Sequence, residues 1–163
     1  MSLVLVRIDD RLIHGQVTVG WGSVLNPDRI LLVSDEIAQN EWEKELYQSC
    51  VPFNIAVSIL SIDETIKALE EKTFEHERVI LLVESPFEIV QLVDRGASLP
   101  RVNIGGMHYK ENKKKILPYV YVDEQDVQNF YFLEEHNIEL ICQDLPQAKK
   151  GNLSELLTNL NYS

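Results

Sequence analysis

The sequence predicts an α/β fold: a single open, twisted, mainly parallel sheet of about six or seven strands with helices on both faces. Two observations predict it. Short β-branched runs recur along the chain, and longer segments of helix-favouring composition separate them. Right-handed crossovers between parallel strands would lay successive helices across both faces of the sheet. The candidate strands are Leu3 to Ile8, Arg29 to Val33, Asn54 to Leu60, Arg78 to Val83, Arg101 to Ile104, Tyr119 to Val122 and Ile138 to Cys142.

The segments 15–25, 36–49, 63–72, 86–95 and 124–136 are the candidate helices. Ser61 precedes the acidic pair Asp63-Glu64, which suits a first turn, and Ser85-Pro86 places proline at a first helical position with Gly96 as a stop. Leu153 to Leu160 reads as a short closing helix. No Gly/Ser/Pro-rich linker, low-complexity tract or repeat breaks the pattern, so the expectation is one domain over 1–163, long enough to bury a core without disulfides or metal.

Charge narrows the function classes. A formal net charge of −11 opposes non-specific nucleic-acid binding, which draws on clustered Lys and Arg, and opposes adsorption to anionic lipid. The dense basic cluster Lys113-Lys114-Lys115 is short and reads as a solvated face. The N-terminus reaches Arg7 and Asp9 too early for a signal peptide, and no apolar run approaches the roughly 20 residues that span a bilayer. A soluble, cytoplasmic chain is expected, reaching the membrane only through protein partners. Cys50 and Cys142 lie in apolar settings and read as buried thiols of a reducing compartment. His76 and His136 sit among glutamates, and the four histidines lack metal-ligand spacing, so neither metal nor cofactor is expected. Trp21, Trp42, Phe53, Phe87, Phe130, Tyr131 and Phe132 are read as core or interface packing.

Ligand sites in open α/β sheets lie beyond the carboxyl ends of the strands. The first such loop, Arg7-Ile-Asp-Asp-Arg-Leu-Ile-His-Gly-Gln-Val17, packs two cations, two carboxylates and an imidazole into a few residues. A strand needs none of these to fold. His14 is a competent nucleophile when neutral, and Gly15 and Gln16 open a helical segment whose first amides would face the loop. Phosphoryl transfer needs positioning and cations at the equatorial oxygens, a role that fits Arg11; Arg7, Asp9 and Asp10 would orient the loop or the ring. Ser34-Asp35, after the second strand, offers either a helix cap or a phosphate contact. Gly105-Gly106, followed by His108, offers either a turn or a close backbone approach, with His108 as a second titratable group and not the acceptor.

The stretch Arg7 to Val17 closely resembles the active-site loop of enzyme IIB subunits of the mannose/fructose/sorbose family of bacterial sugar phosphotransferase systems. The likeness continues through Val33-Ser-Asp-Glu36, Val102-Asn-Ile-Gly-Gly-Met-His108, Lys113-Lys114, Val120-Tyr-Val-Asp123 and Gln143-Asp-Leu-Pro146, with no sign of a fused IIA domain. The resemblance implies a phosphoryl relay. A phosphorylated IIA protein would pass its group to Nδ1 of His14, with Arg11 as the family's loop arginine, and the sugar would receive it during import by membrane subunits IIC and IID. The Met107-His108-Tyr109 stretch, Lys113-Lys114 and Tyr121-Val-Asp123 look most like the N-acetylgalactosamine/galactosamine members of that family. A homodimer is a fair prior for a protein of this size.

Two other readings compete. A phosphoaspartate receiver would use an acidic pair such as Asp9-Asp10, but also an aspartate ending the third strand and a lysine after the fifth, where this chain has Leu60-Ser61-Ile62-Asp63 and Ile104-Gly105. A nucleotide-binding module would need a glycine-rich phosphate loop after a strand, and the sequence has none.

Overall fold

The structure, a computed structural model, describes residues 2–160. Met1 and 161–163, the ends of the expected single domain, lie outside the described residues. Six parallel strands form the body of one sheet: β1 (Ser2–Asp9), β2 (Arg29–Val33), β3 (Ala56–Leu60), β4 (Arg78–Val83), β5 (Arg101–Gly106) and β8 (Glu139–Cys142). The short β9 (Gly151–Asn152) adds an antiparallel seventh at the edge, giving the order β3-β2-β4-β1-β5-β8-β9. The central strands are apolar on both faces, as a doubly covered parallel sheet requires: Leu31, Leu32, Ile80, Leu81 and Leu82 have no solvent exposure.

Each face carries its own helices. On one, α4 (Ile62–Glu70), α5 (Pro86–Asp94), α6 (Glu124–Glu135) and α7 (Leu153–Thr158) bury Ile66, Leu92, Phe130 and Leu157 against Ile8, Leu81, Ile104 and Leu140. On the other, α1 (Gly22–Leu25), α2 (Asp35–Ala38) and α3 (Glu41–Ser49) join Val17 and Ile37 to Ile30, Leu32 and Leu82. The caps agree with the sequence. Ser61 and Glu64 form a capping box, Pro86 opens α5, and Gly96 follows it at φ +97°.

Several elements differ from the sequence reading. Tyr119 to Val122 is not a strand of the main sheet: tied to Met107 just after β5 by a parallel bridge at Val120, β7 (Val120–Val122) pairs antiparallel with β6 (Lys114–Leu117) in a hairpin. The connection between them, Pro118 and Tyr119, is far too short for a parallel crossover. The segment 36–49 divides into α2 and α3, because Asn40 leaves the helix and caps α3 by accepting from Glu43 N–H at 3.1 Å. Lys113 is not on a solvated face; its ammonium lies 2.8 Å from Asp126 at the start of α6. Cys142 is buried, and burial pushes its thiol up to about 12, whereas Cys50 is exposed at the end of α3, a helix with no buried residue. Trp21 and Phe130 are buried as expected; Trp42, Phe53, Phe87 and Tyr131 project to solvent.

Phe130 is fully buried among α5, α6 and the sheet. Phe130→Ala is expected to lower the unfolding free energy by about 3–5 kcal/mol, read as an earlier denaturation midpoint at unchanged slope.

Candidate phosphoryl-transfer site

The strand order makes a crevice at the carboxyl end of β1. The chain leaves β1 toward β2 on one side and leaves β5 toward β8 on the other, so the loops after β1 and β5 diverge there. His14 and His108 lie on these two loops.

Asp9, the last residue of β1, has no solvent exposure. One carboxylate oxygen accepts from Arg11 N–H and Nε–H at 3.1 and 3.0 Å. The other accepts from Arg7 at 3.1 Å and Arg11 at 2.9 Å, and lies 3.1 Å from His14 Nε2. Burial by itself raises the Asp9 carboxyl; hydrogen bonds from His14 and Arg11 and the charge of Arg7 outweigh it, holding Asp9 well below the usual carboxylate range. An anionic Asp9 accepts a proton-bearing Nε2, so Nδ1 of His14 carries the free lone pair. The Gln16 amide N–H points at that Nδ1 from 3.3 Å.

Arg11 reaches across the loop. Its Nη2 bridges Asp9 and the Gln16 side-chain oxygen, the latter at 2.7 Å, while its side chain remains one-third exposed. Arg7 takes a different part. It is fully buried beneath the loop, donating to Asn103 Oδ1, to the carbonyls of Gln143 and Asp144 at 2.9 and 2.8 Å, and to Asp9. Burial pushes its guanidinium below the ordinary value, with Asp9 opposing. Arg7 is therefore a support behind Asp9 and not a phosphate contact.

The paired glycines follow from this packing. A Cβ on Gly105 would lie 1.8 Å from Arg7 Cζ, and one on Gly106 would lie 2.8 Å from Asp9 Oδ1. Gly15 has open space around it and ordinary helical angles, so it leaves the approach to His14 clear.

The segment after His14 begins as a π-helix, Gln16–Trp21, and not as the expected α-helix. Val17 N–H, Thr18 N–H and the Thr18 hydroxyl all donate to the His14 carbonyl, and Gly22 N–H returns to Val17 five residues back. Gly20 permits contact with Leu145, 3.2 Å from where its Cβ would stand. Wide turns of this kind are frequent at functional sites.

Other candidates fall outside the cluster. Ser34 caps α2 by accepting from Ile37 N–H at 3.1 Å, and Asp35 accepts from Ile62 N–H at 2.8 Å. Strand β4 lies between β2 and β1 in the sheet, and Ile37 of α2 shares an apolar cluster with Leu12, Ile13 and Val17 around His14. Asp10 turns away from the imidazole of His14 and pairs with His108. Asn103, Trp21 and the carbonyls of Gln143 and Asp144 are support residues that the sequence reading missed. Trp21 stacks on Arg7 at 5.3 Å and donates to Asp144 O at 3.0 Å. A polar Asn103 amid the apolar Val102 and Ile104 was the available signal. No group of three or more His, Cys, Asp or Glu arranged to hold a metal occurs among the described residues.

The family model of the PTS system sorbose subfamily IIB component matches residues 3–163. The chain belongs to this family. It is 38% identical over 160 residues to the fructose-specific EIIB component of Bacillus subtilis, covering 98% of each chain. It is 31% identical to N-acetylgalactosamine-specific phosphotransferase enzyme IIB component 1 of Escherichia coli, covering 94% of this chain and 98% of that one. The crystal structure of the IIB domain of the sorbose permease from Klebsiella pneumoniae superposes with a TM-score of 0.94 at 29% identity, each chain covered completely. The IIB chain is thus a phosphotransferase component of sugar transport with the α/β fold of its relatives. No helix among the described residues is long and apolar enough to cross a membrane.

Two predictions follow from the buried pair. Asp9→Asn leaves Arg7 without its counter-charge and is expected to lower stability near neutral pH by about 3–5 kcal/mol. Because the native Asp9 value is lowered, its stabilisation is present above the unfolded value of about 4 and fades as the pH falls toward the native value. Denaturation of the original chain and of Asp9→Asn across pH 2 to 7 should therefore give curves that converge at the acid end. Gly105→Ala is expected to destabilise by about 1–3 kcal/mol through overpacking against Arg7, seen as a lower melting temperature.

Proposed function

We propose that His14 is the phosphoryl carrier of this IIB component, accepting the group on Nδ1 from a phosphohistidine of a IIA partner and yielding it to a hexose or hexosamine at membrane subunits IIC and IID. The observation that carries the reading is the division of the His14 ring: Nε2 is committed to buried Asp9, and Nδ1 accepts, among the described residues, from the Gln16 amide alone, beside an exposed Gly15. In the first step the donor P–N bond breaks as the Nδ1 lone pair forms a new one. Asp9 stabilises the positive charge that develops on the ring, as an anion behind an imidazole does in other nucleophilic sites. Arg11, anchored by Asp9 and Gln16, and the Gln16 amide supply donors for the phosphoryl oxygens. In the second step the sugar hydroxyl attacks phosphorus and releases its proton to solvent, the bond to Nδ1 breaks and His14 returns to its neutral form. The chain would meet the inner face of the membrane through IIC and IID.

The receiver-like alternative is not favoured. The carboxylates it would need together are engaged apart, Asp9 with Arg7, Arg11 and His14, and Asp10 with His108. As to the sugar, we read N-acetylgalactosamine or galactosamine, supported by the Met107-His108-Tyr109 and Tyr121-Val-Asp123 likeness and by one relative of that name. Uptake of labelled N-acetylgalactosamine by the cognate membrane subunits, in excess of fructose and sorbose, is the expected result; a preference for fructose would overturn the sugar and leave the relay standing.

Phosphorylated IIA should label the protein without added metal, and the label should be acid-labile and alkali-stable. His14→Ala is expected to abolish it; a label that persists in that variant removes His14 from the relay. Arg11→Ala should fold normally and accept phosphate about 100-fold more slowly, measured by rapid quench.

A further inference from the structure

We propose that His108 is a positioning residue for phosphoryl transfer that acts through Asp10, an inference that rests on the reading of His14 as acceptor. Asp10 stands in the chain between Asp9, which orients the imidazole, and Arg11, the partly exposed cation of the site. Three contacts converge on it from the end of β5 and the segment that follows. Its own N–H donates to Gly106 O at 3.0 Å. One carboxylate oxygen accepts from the His108 backbone N–H at 2.7 Å, and the other lies 2.5 Å from His108 Nδ1. Asp10 is thus clamped where β1 gives way to the loop.

The clamp has a turn to hold. Leu12 is a buried non-glycine residue at φ +61°, and its N–H folds back to Asp9 O at 2.9 Å. Such a backbone persists only where the surroundings over-determine it. The contacts of Asp9 with Arg11 fix the inner side of the turn, and the Asp10–His108 pair fixes the outer side. The two sides adjoin: the point a Gly106 Cβ would occupy is 2.8 Å from Asp9 Oδ1 and 3.2 Å from His108 Cε1. A displaced His108 ring therefore shifts the carboxylate hub and the arginine it aims.

The His108 side chain is 47% exposed, and its Nε2 makes no hydrogen bond among the described residues. Exposed pairs of this sort add little to global stability, so a transfer defect without a melting defect separates positioning from a structural role.

The full chain is the substrate of the test, with potassium phosphoramidate as a small phosphoryl donor and phosphorylated IIA in parallel. His108→Ala should accept phosphate about tenfold more slowly from both donors, with its melting temperature within about 2 °C of the original. His108→Asn keeps an N–H donor toward Asp10 and should recover the rate to within about twofold. Asp10→Ala should match His108→Ala, and the double variant should be no slower than either, as coupled residues require. Nitrogen chemical shifts of the His14 ring should move in His108→Ala and return in His108→Asn. An unchanged rate in His108→Ala, additive losses in the double variant, or failure of asparagine to restore the rate would each overturn the proposal. If instead the original chain's label survives in His14→Ala, the acceptor reading itself has failed.

Discussion

The charge on Asp9, held at zero solvent exposure, is the constraint from which the other parts of the site follow. An isolated buried carboxylate is expensive to keep ionised, so it must be surrounded by donors. Five hydrogen bonds meet it, from Arg7, Arg11 and His14. Arg7 is itself fully buried and passes the same demand outward. Its Nη1 and Nη2 donors find further acceptors in Asn103 on β5 and the carbonyls of the turn after β8, while the buried Nε–H makes no hydrogen bond among the described residues. The guanidinium needs volume, which Gly105 leaves open. A single ionised group thereby fixes residues on β1, on β5 and in the turn after β8. The order β1-β5-β8 is what allows those residues to meet.

The same hub explains why one ring nitrogen is free. A histidine can offer a nucleophilic lone pair only if its proton has a better place on the other nitrogen. Asp9 provides that place, at 3.1 Å from Nε2, and three donors on the His14 carbonyl hold the backbone that carries the ring. The segment after His14 begins with Val17 and Thr18 amides both on the His14 carbonyl and widens only further along, where Gly22 N–H reaches back five residues to Val17.

Much of this was legible because the residues that touch are close in sequence. Arg11, His14 and Gln16 all sit within seven residues of Asp9, and their chemistry is unusual for a strand end. Strand alternation also separates the two carboxylates: Arg7 and Asp9 share a face and Asp10 takes the other, a distinction the sequence reading left open. The supports were harder to see. Backbone carbonyls at Gln143 and Asp144 carry no side-chain signature, and they come near Arg7 only through a parallel sheet. The β6–β7 hairpin was misplaced because Val120-Tyr-Val122 has the composition of a parallel strand, while its partner is lysine-rich and reads as a loop. For Phe53 and Trp42 the reading stopped at core or interface packing, because composition reports hydrophobicity and not direction; the structure leaves both out of the core.

Rigidity behind the ring and openness before it answer opposite needs of a relay. A group that arrives from one protein surface and departs to another must be reached by both, so the nucleophile cannot sit in a closed cavity. His14 retains about 20% side-chain exposure beside an exposed Gly15, and grooves of about 440 and 490 Å³ elsewhere on the molecule are lined by neither His14, Arg11 nor Gln16. Precision must then come from beneath the site, because no walls enclose the reacting atoms. The buried Arg7–Asp9 pair supplies it at the sheet end, and in the proposed relay the loop would present one imidazole nitrogen, one guanidinium edge and one amide to phosphorus. In the proposed relay, selection among sugars would rest with the surfaces that bring the hydroxyl to His14.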